Sequence, residues 1–454
     1  MRIEGLGLTN FWNVMRFCVP LTVALSIFLA SVARPQTADI AHDYAKYQGR
    51  IISKIIVLGN DKTRDIVILR EMKTKVGVPF DANRVDEDRK RIQNLSLFTR
   101  VEIYPAKDEN EKVGLIVIVA ERWHFLPYPL FFRNEREWEL EKWSYGAGII
   151  HNNVRGLNNK LLAELWFGYN PGGTASYLNP WFAGERQLYY KATLYSMTLK
   201  SKTLKTPRFD EFHRGFSFIF GKKWGYHTYS NIAVSYDYIR IPYEYRYLIS
   251  SESDQHVPSI GIGFQYDTRD LQEYPRDGWW MSFGVTGNFP PQSGYQLFGA
   301  DVRRYIRLYK DISLALRVDV DLAHGDTPFY SHYYLGYSER MRGQFYTAME
   351  GDRRSIFMAE CRFPIVPVHF INLDYGQPML GQYANDLPFG ISAGIFYDIG
   401  AAWFRDDANI PTDFLSGFGM GLHFHLPYIE LFRIEYGIDP QWKGQFIIDT
   451  KVAF

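Results

Sequence analysis

What constrains this chain most is the pattern that runs from Ser144 to Phe454. Segments of about ten residues alternate polar and apolar side chains, separated by Gly, Asn, Asp and Pro turns, as in strands that cross a membrane as a barrel. Downstream of Ala33 no window approaches the roughly 20 apolar residues that a spanning helix needs. A chain of this kind enters a bilayer only as a closed β-barrel, because in hydrocarbon every backbone N–H and C=O must be paired within the protein. Mean hydropathy of −0.24 with 17% aromatic residues suits aromatic-rich strands and polar turns, not a helical membrane protein.

The beginning of the chain carries an address. Arg16 precedes an apolar run, Phe17 to Ala30, and Ser31-Val32-Ala33 forms a small-x-small cleavage site, so residues 1–33 read as a secretory signal. Met15-Arg16 would itself open such a signal, which leaves Met1 and Met15 as alternative starts. Cleavage removes Cys18, and a mature chain with Cys361 alone has no internal disulfide. The net charge of +1 supplies no basic field for nucleic acid. Residues 34–50 are a polar linker, and 123–143, aromatic and charged, are expected to be a hinge before a barrel at 144–454.

Residues 51–122 read as one α+β unit in the order β-α-α-β-β. Ile51–Leu58 is a strand ended by the turn pair Gly59-Asn60. Thr63 is placed to cap a helix with Ile66, Leu69 and Met72 inward, and Asp81 a second helix with Val85, Ile92 and Leu95 inward. Arg100–Tyr104 and Val113–Ala120 complete a three-stranded sheet. Gly59-Asn60, Thr63, Gly77, Phe98-x-x-Val101 and Glu121 together resemble a POTRA domain, although any small secreted α+β domain shares this outline. The resemblance implies that extended chains add to a sheet edge through its unpaired backbone groups.

Fifteen barrel strands are visible, from Ser144–His151 to Gln441–Phe454. Single-chain bacterial barrels have even counts, so sixteen are expected, with the missing one between Arg240 and Val257. The last segment places Phe446, Ile448, Thr450, Val452 and Phe454 on one face, toward lipid, and Gln445, Asp449 and Lys451 on the other. A soluble sandwich could end on the same pattern.

Four motifs in order extend the resemblance to the whole chain. They are Asp267-Thr268-Arg269-Asp270 with Pro275-x-x-Gly278-Trp279, then Met341-Arg342-Gly343-Gln344-Phe345, then Glu360-x-Arg362-x-Pro364, and Phe396-Tyr397-Asp398-Ile399-Gly400. Residues 144–454 thereby resemble the surface-antigen barrel of the BamA/TamA-type outer-membrane assembly and translocation superfamily. Met341 departs from the pattern, where Val or Leu is commoner.

The resemblance implies a long loop folded back into the lumen, with Arg342 meeting acidic wall residues. Asp398, Glu360 and Arg362 are the wall residues offered by strand alternation, since charges facing lipid near mid-bilayer cost about 2–4 kcal/mol for the basic ones. A guanidinium fits a carboxylate bidentately, and Gly343 lets the loop turn tightly. The bland alternative is a solvated loop with an incidental arginine. Val154-Arg155-Gly156 contains a similar string but reads as a turn. His423 and His425 share a strand face without visible further ligands, so no metal is expected. The Asp267–Asp270 carboxylates read as a hairpin cap or ion pairs, and no nucleophile elbow, P-loop or zincin helix is present.

The fold expected is therefore a transmembrane β-barrel of about 16 antiparallel strands behind one POTRA-like domain. The resemblance implies an outer-membrane factor, not an enzyme, that inserts or translocates unfolded outer-membrane or secreted polypeptides without a cofactor. It would work among outer-membrane lipids, with accessory lipoproteins or a dedicated client as further candidate partners. The rival readings are a passive outer-membrane pore or structural surface protein, and a dedicated secretion pore for one partner.

Overall fold

A computed structural model of the chain describes residues 44–108, 111–134, 140–249, 253–337, 339–344, 347–372, 386–406, 411, 413–426, 429–450 and 453–454. The signal at 1–33 and most of the linker lie outside these residues, as do Phe345 and Val452.

The N-terminal domain comprises β1 (Ile52–Leu58), α1 (Asp65–Leu69), α2 (Ala82–Gln93), β2 (Phe98–Lys107) and β3 (Val113–Glu121). Its sheet runs β1-β3-β2, with β3 parallel to β1 and antiparallel to β2. Ile52, Val67, Ile68, Val85, Ile92, Leu115 and Val117 make a dry core under the two helices. Asp81 accepts from the backbone N–H groups of Asn83 and Arg84, closing the start of α2 as its sequence suggests. The first helix departs from expectation. Its N-cap is Arg64 without a side-chain bond, and Val67 and Ile68 point inward while Ile66 is exposed. Thr63 is occupied elsewhere, bonding the Glu121 carboxylate through both its N–H and its hydroxyl.

Sixteen strands form one antiparallel sheet. They are β4 (Phe125–Arg133), β5 (Trp143–Val154), β6 (Asn159–Gly168), β7 (Gly172–Phe182), β8 (Leu188–Lys200), β9 (Asp210–Trp224), β10 (Thr228–Arg240), β11 (Asp254–Asp267), β12 (Gly278–Asn288), β13 (Tyr295–Tyr309) and β14 (Ile312–Gly325), followed by five more after the long loop. That loop contains a small hairpin of β15 (Tyr333–Leu335) and β16 (Met349–Gly351). The remaining barrel strands are β17 (Arg353–Ile371), β18 (Leu387–Trp403), β19 (Leu415–Leu426), β20 (Ile429–Ile438) and β21 (Gly444–Thr450). Side chains alternate as the sequence requires: Phe216, Phe218 and Phe220 are exposed on the outer face of β9, while His213 and Ser217 are buried on its inner face.

Two expectations need correcting. The sixteenth strand is not between Arg240 and Val257, where a 3-10 turn covers Tyr243–Leu248. It is β4, inside the stretch read as a hinge, pairing with β5 from Phe125 opposite His151 to Arg133 opposite Trp143. Pro127 and Pro129 hid it, and they are tolerated because β4 is an edge of the sheet order.

The chain end also differs. Phe446 and Ile448 are exposed on the outer face as expected, but Thr450 is buried and Phe454 lies inward, 3% and 2% exposed. There it packs with Tyr305, Met341 and Met358. Its backbone oxygen accepts from Arg362 Nη2 at 3.4 Å, and the Arg362 guanidinium lies 5.6 Å from its ring. A desolvated cation over a ring, with a backbone acceptor beside it, gives this aromatic a better partner inside than lipid does outside.

Candidate functional site

The long loop enters the barrel and delivers Arg342 to a cluster of acids. Its Nε and Nη2 donate to Oδ2 and Oδ1 of Asp398, both at 2.8 Å, and its backbone N–H adds a third bond to Oδ2 at 3.2 Å. Nη1 donates to Glu360 Oε2 at 2.5 Å and to Glu435 Oε1 at 3.0 Å. The guanidinium also lies 3.8 Å from the centroid of the Phe396 ring. Four bonds donated by the guanidinium to three carboxylates use the planar fork that lysine lacks.

Strand register assembles this wall. β17 pairs with β18 so that Met358 faces Asp398 and Glu360 faces Phe396, and β19 sets Gly421 opposite Glu435. Gly343 takes φ +92°, and a Cβ there would come within 2.7 Å of the Ile438 carbonyl. A side chain at Gly417 would collide with the carbonyl of Arg342, so the wall is bare where the loop leans on it.

The charges balance locally. Arg362 Nε donates to Glu360 Oε1 at 2.6 Å, and Arg433 Nη1 to Glu435 Oε2 at 2.7 Å. Asp398, Glu360 and Glu435 thus face Arg342, Arg362 and Arg433, all nearly solvent-free. Removing one member of such a set leaves an uncompensated buried charge and costs about 3–5 kcal/mol. Further along the loop, Arg317 binds Glu339 at 3.1 Å, and Arg354 binds Asp321 and the Tyr334 carbonyl.

Glu435 and Arg433 escaped sequence reasoning. Their i, i+2 alternation against the outward Ile434 and Tyr436 was the available signal. His423 is also drawn in. Its Nδ1 meets the Tyr274 hydroxyl at 3.0 Å, and its Nε2 lies 3.5 Å from Glu435 Oε1. Glu360, His423 and Glu435 offer ligand atoms within 4.8 Å of one another. That spacing would suit a metal ion, and both acids also give oxygens to Arg342 Nη1. His425 points elsewhere, to Ser392 Oγ at 3.0 Å.

The Asp267–Asp270 hairpin is a capped turn. Arg269 is bidentate to Asp267 at 2.9 and 2.8 Å. Asp270 Oδ1 accepts from the N–H groups of Leu271, Arg276 and Asp277, and Gly278 starts β12. The tip touches the N-terminal domain, where Asn94 Oδ1 accepts from the Gln272 N–H at 3.0 Å.

Other contacts join the two domains. The Gly156 carbonyl, in the Val154-Arg155-Gly156 turn, accepts from the Arg64 N–H at 3.0 Å. Asn153 Nδ2 donates to Thr63 Oγ1 at 2.8 Å, Arg122 binds Glu273 at 2.7 Å, and Arg100 binds Asp386 at 2.9 Å. Beside the first turn after β1, Asn60 Nδ2 donates to the Thr63 carbonyl at 2.8 Å, while Gly59 supplies the positive φ of the turn. Glu121 sits at the centre of this junction. Burial works to raise its pKa, but the His124 ring 3.6 Å away and the hydrogen bonds from Thr63 outweigh it and hold the carboxyl below the usual range.

Comparison with known proteins accounts for both halves. Residues 51–122 match the POTRA family described as surface antigen variable number repeat, and residues 153–446 match the Omp85 superfamily domain. The chain is 23% identical over 435 residues to the outer membrane protein assembly factor BamA of Nitratidesulfovibrio vulgaris, covering 89% of this chain and 50% of that protein. It thus spans about half the length of that relative. A BamA of Neisseria meningitidis serogroup B is 30% identical over 92 residues, 20% of this chain and 12% of that one. Two solved structures share the fold. BamA from Haemophilus ducreyi lacking POTRA domains 1–3 has TM-score 0.53 and 16% identity over 89% of this chain and 84% of that one. CdiB from Escherichia coli has TM-score 0.53 and 12% identity over 89% and 77%. The superfamily match takes in well over half of the chain, so this protein belongs to the Omp85 superfamily, an outer-membrane β-barrel with a POTRA domain in the periplasm.

Proposed function

We propose that this protein inserts or translocates unfolded polypeptides at the outer membrane, driven by strand pairing and burial instead of a bound energy source. The observation that carries this reading is the pair of sheet ends: among the described residues β4 and β21 are the first and last strands of the order, with no ladder between them. Short or unpaired edges are templates for an incoming strand. β1 and β2 are the edges of the POTRA sheet and offer a second such template on the periplasmic side. The relatives described as assembly factors support the same role. Arg342 and its loop, seated in the lumen, weigh against the passive-pore reading.

The test bridges the two edges. With Cys361 replaced by Ser, cysteines at Leu130 on β4 and Ile447 on β21 are joined by a short bismaleimide in proteoliposomes. Assembly of an unfolded eight-stranded barrel client should then stop, and removing the bridge with a cleavable linker should restore it. Client assembly that proceeds unchanged through a closed bridge would overturn the proposal. A set of secreted clients assayed in parallel separates a general assembly factor from a pore dedicated to one partner.

A further inference from the structure

Between the POTRA helices and the periplasmic end of the barrel lies a cavity of about 190 Å3. Arg70, directly after α1, lines it with a side chain only 8% exposed. Among the described residues its guanidinium makes no hydrogen bond, and its Nε is buried without a hydrogen-bond acceptor. Its contacts are the Trp181 ring, 4.7 Å from the centroid, and Glu71 Oε1 at 3.9 Å. Glu71 gives its other oxygen to Lys223 Nζ at 3.1 Å. A guanidinium whose Nε–H is buried without an acceptor is costly unless something else supplies the oxygen.

The surroundings are cationic. Arg70, Arg91, Lys160, Lys223 and Arg269 line the cavity against Glu71 and Asp267. Arg269 is bound by Asp267 and Arg91 by Asp88. With Asp88 and Glu87, both partners of Arg91, counted, five cations face four acids. Burial also lowers the pKa of Arg70, a penalty that an oxyanion in contact would relieve.

We propose that this cavity is a binding site for a phosphate-class oxyanion, held by Arg70 as its principal donor. A phosphate carries about −1.5 to −2 charges at neutral pH and offers several strong acceptor oxygens, where one carboxylate offers two. The guanidinium fork suits its oxygens. The phosphate could arrive free or as the headgroup of a lipid.

The test is calorimetric titration of the refolded full-length protein in a maltoside detergent at constant ionic strength. Inorganic phosphate and solubilised phosphatidylglycerol are titrated separately. Saturable binding of inorganic phosphate assigns a free ion, and binding of the lipid alone assigns a headgroup; either supports the site. Arg70→Gln should weaken that binding by roughly ten- to a hundredfold, the worth of one or two charge-assisted hydrogen bonds. Lys54→Gln, an exposed change on the POTRA domain, should leave it unaltered. Should Arg70→Gln not fold, as judged by heat-modifiable mobility, the wild-type protein still decides. No saturable binding of either ligand, or acetate binding as tightly as phosphate, overturns the proposal. No client enters the assay, so its outcome is separate from that of the assembly function.

Discussion

Ile66 in the POTRA domain and Ile262 in the barrel expose nearly the same fraction of their surface, 57% and 60%. The same number means opposite things. Ile66 is an apolar side chain left in water, tolerated singly. Ile262 lies on the outer face of β11 and meets lipid. The interiors are inverted in the same way. The POTRA domain buries aliphatic side chains on one another, whereas the barrel buries three guanidiniums against three carboxylates around Arg342. One core is non-directional and graded; the other is geometric and fails as a unit.

Substitutions sharpen or break this contrast. Arg342→Lys should cost about 3–5 kcal/mol, close to full removal, because a point charge cannot serve three carboxylates at once; urea titration of the barrel's heat-modifiable band measures it. A loss below about 1 kcal/mol would mean the fork geometry is incidental. Leu115→Ala should cost about 2–5 kcal/mol in the POTRA domain and leave barrel mobility unchanged, read by limited proteolysis beside the same gel. Ile262→Lys should cost about 2–4 kcal/mol in bilayers, whereas Ile66→Lys should stay within about 0.5 kcal/mol. Equal costs for these two would erase the inside-out distinction.

The smaller effect lies at the junction. The folded pKa of Glu121 is depressed, so its stabilising bonds are present above the ordinary carboxylate range and are lost as pH falls through the folded pKa. POTRA–barrel cross-linking between Asn94 and Gln272 cysteine variants, which leave the Glu121 bonds in place, should therefore weaken on acidification. Glu121→Gln should weaken it by about 1.5 kcal/mol at neutral pH and flatten that pH dependence. A pH profile unchanged by Glu121→Gln would remove this carboxylate from the junction.

Much of this was legible in one dimension because a strand's period of two forces charges inward wherever lipid lies outside. Glu360, Arg362 and Asp398 could be assigned a face in this way, and alternation with even counting led to sixteen strands. What could not be read depends on partners far apart in the chain. β4 was concealed by Pro127 and Pro129, whose penalty vanishes only at a sheet edge. The inward turn of Phe454 is set by Arg362, 92 residues earlier. Glu435 looked like any inward acid of its strand until the loop brought Arg342 to it. Thr63 had the right spacing for a helix cap, but its hydroxyl is taken, donating to Glu121 and accepting from Asn153.

The most direct test of the inverted core is a double-mutant cycle of Arg342→Ala and Asp398→Asn in refolded protein, followed by urea-dependent loss of heat-modifiable mobility. Each single change should loosen the barrel by about 3–5 kcal/mol, and the double should be no worse than either, since the remaining partner of a broken pair carries the penalty. Additive losses, or no loss from Arg342→Ala, would contradict the account and leave Arg342 an ordinary loop residue.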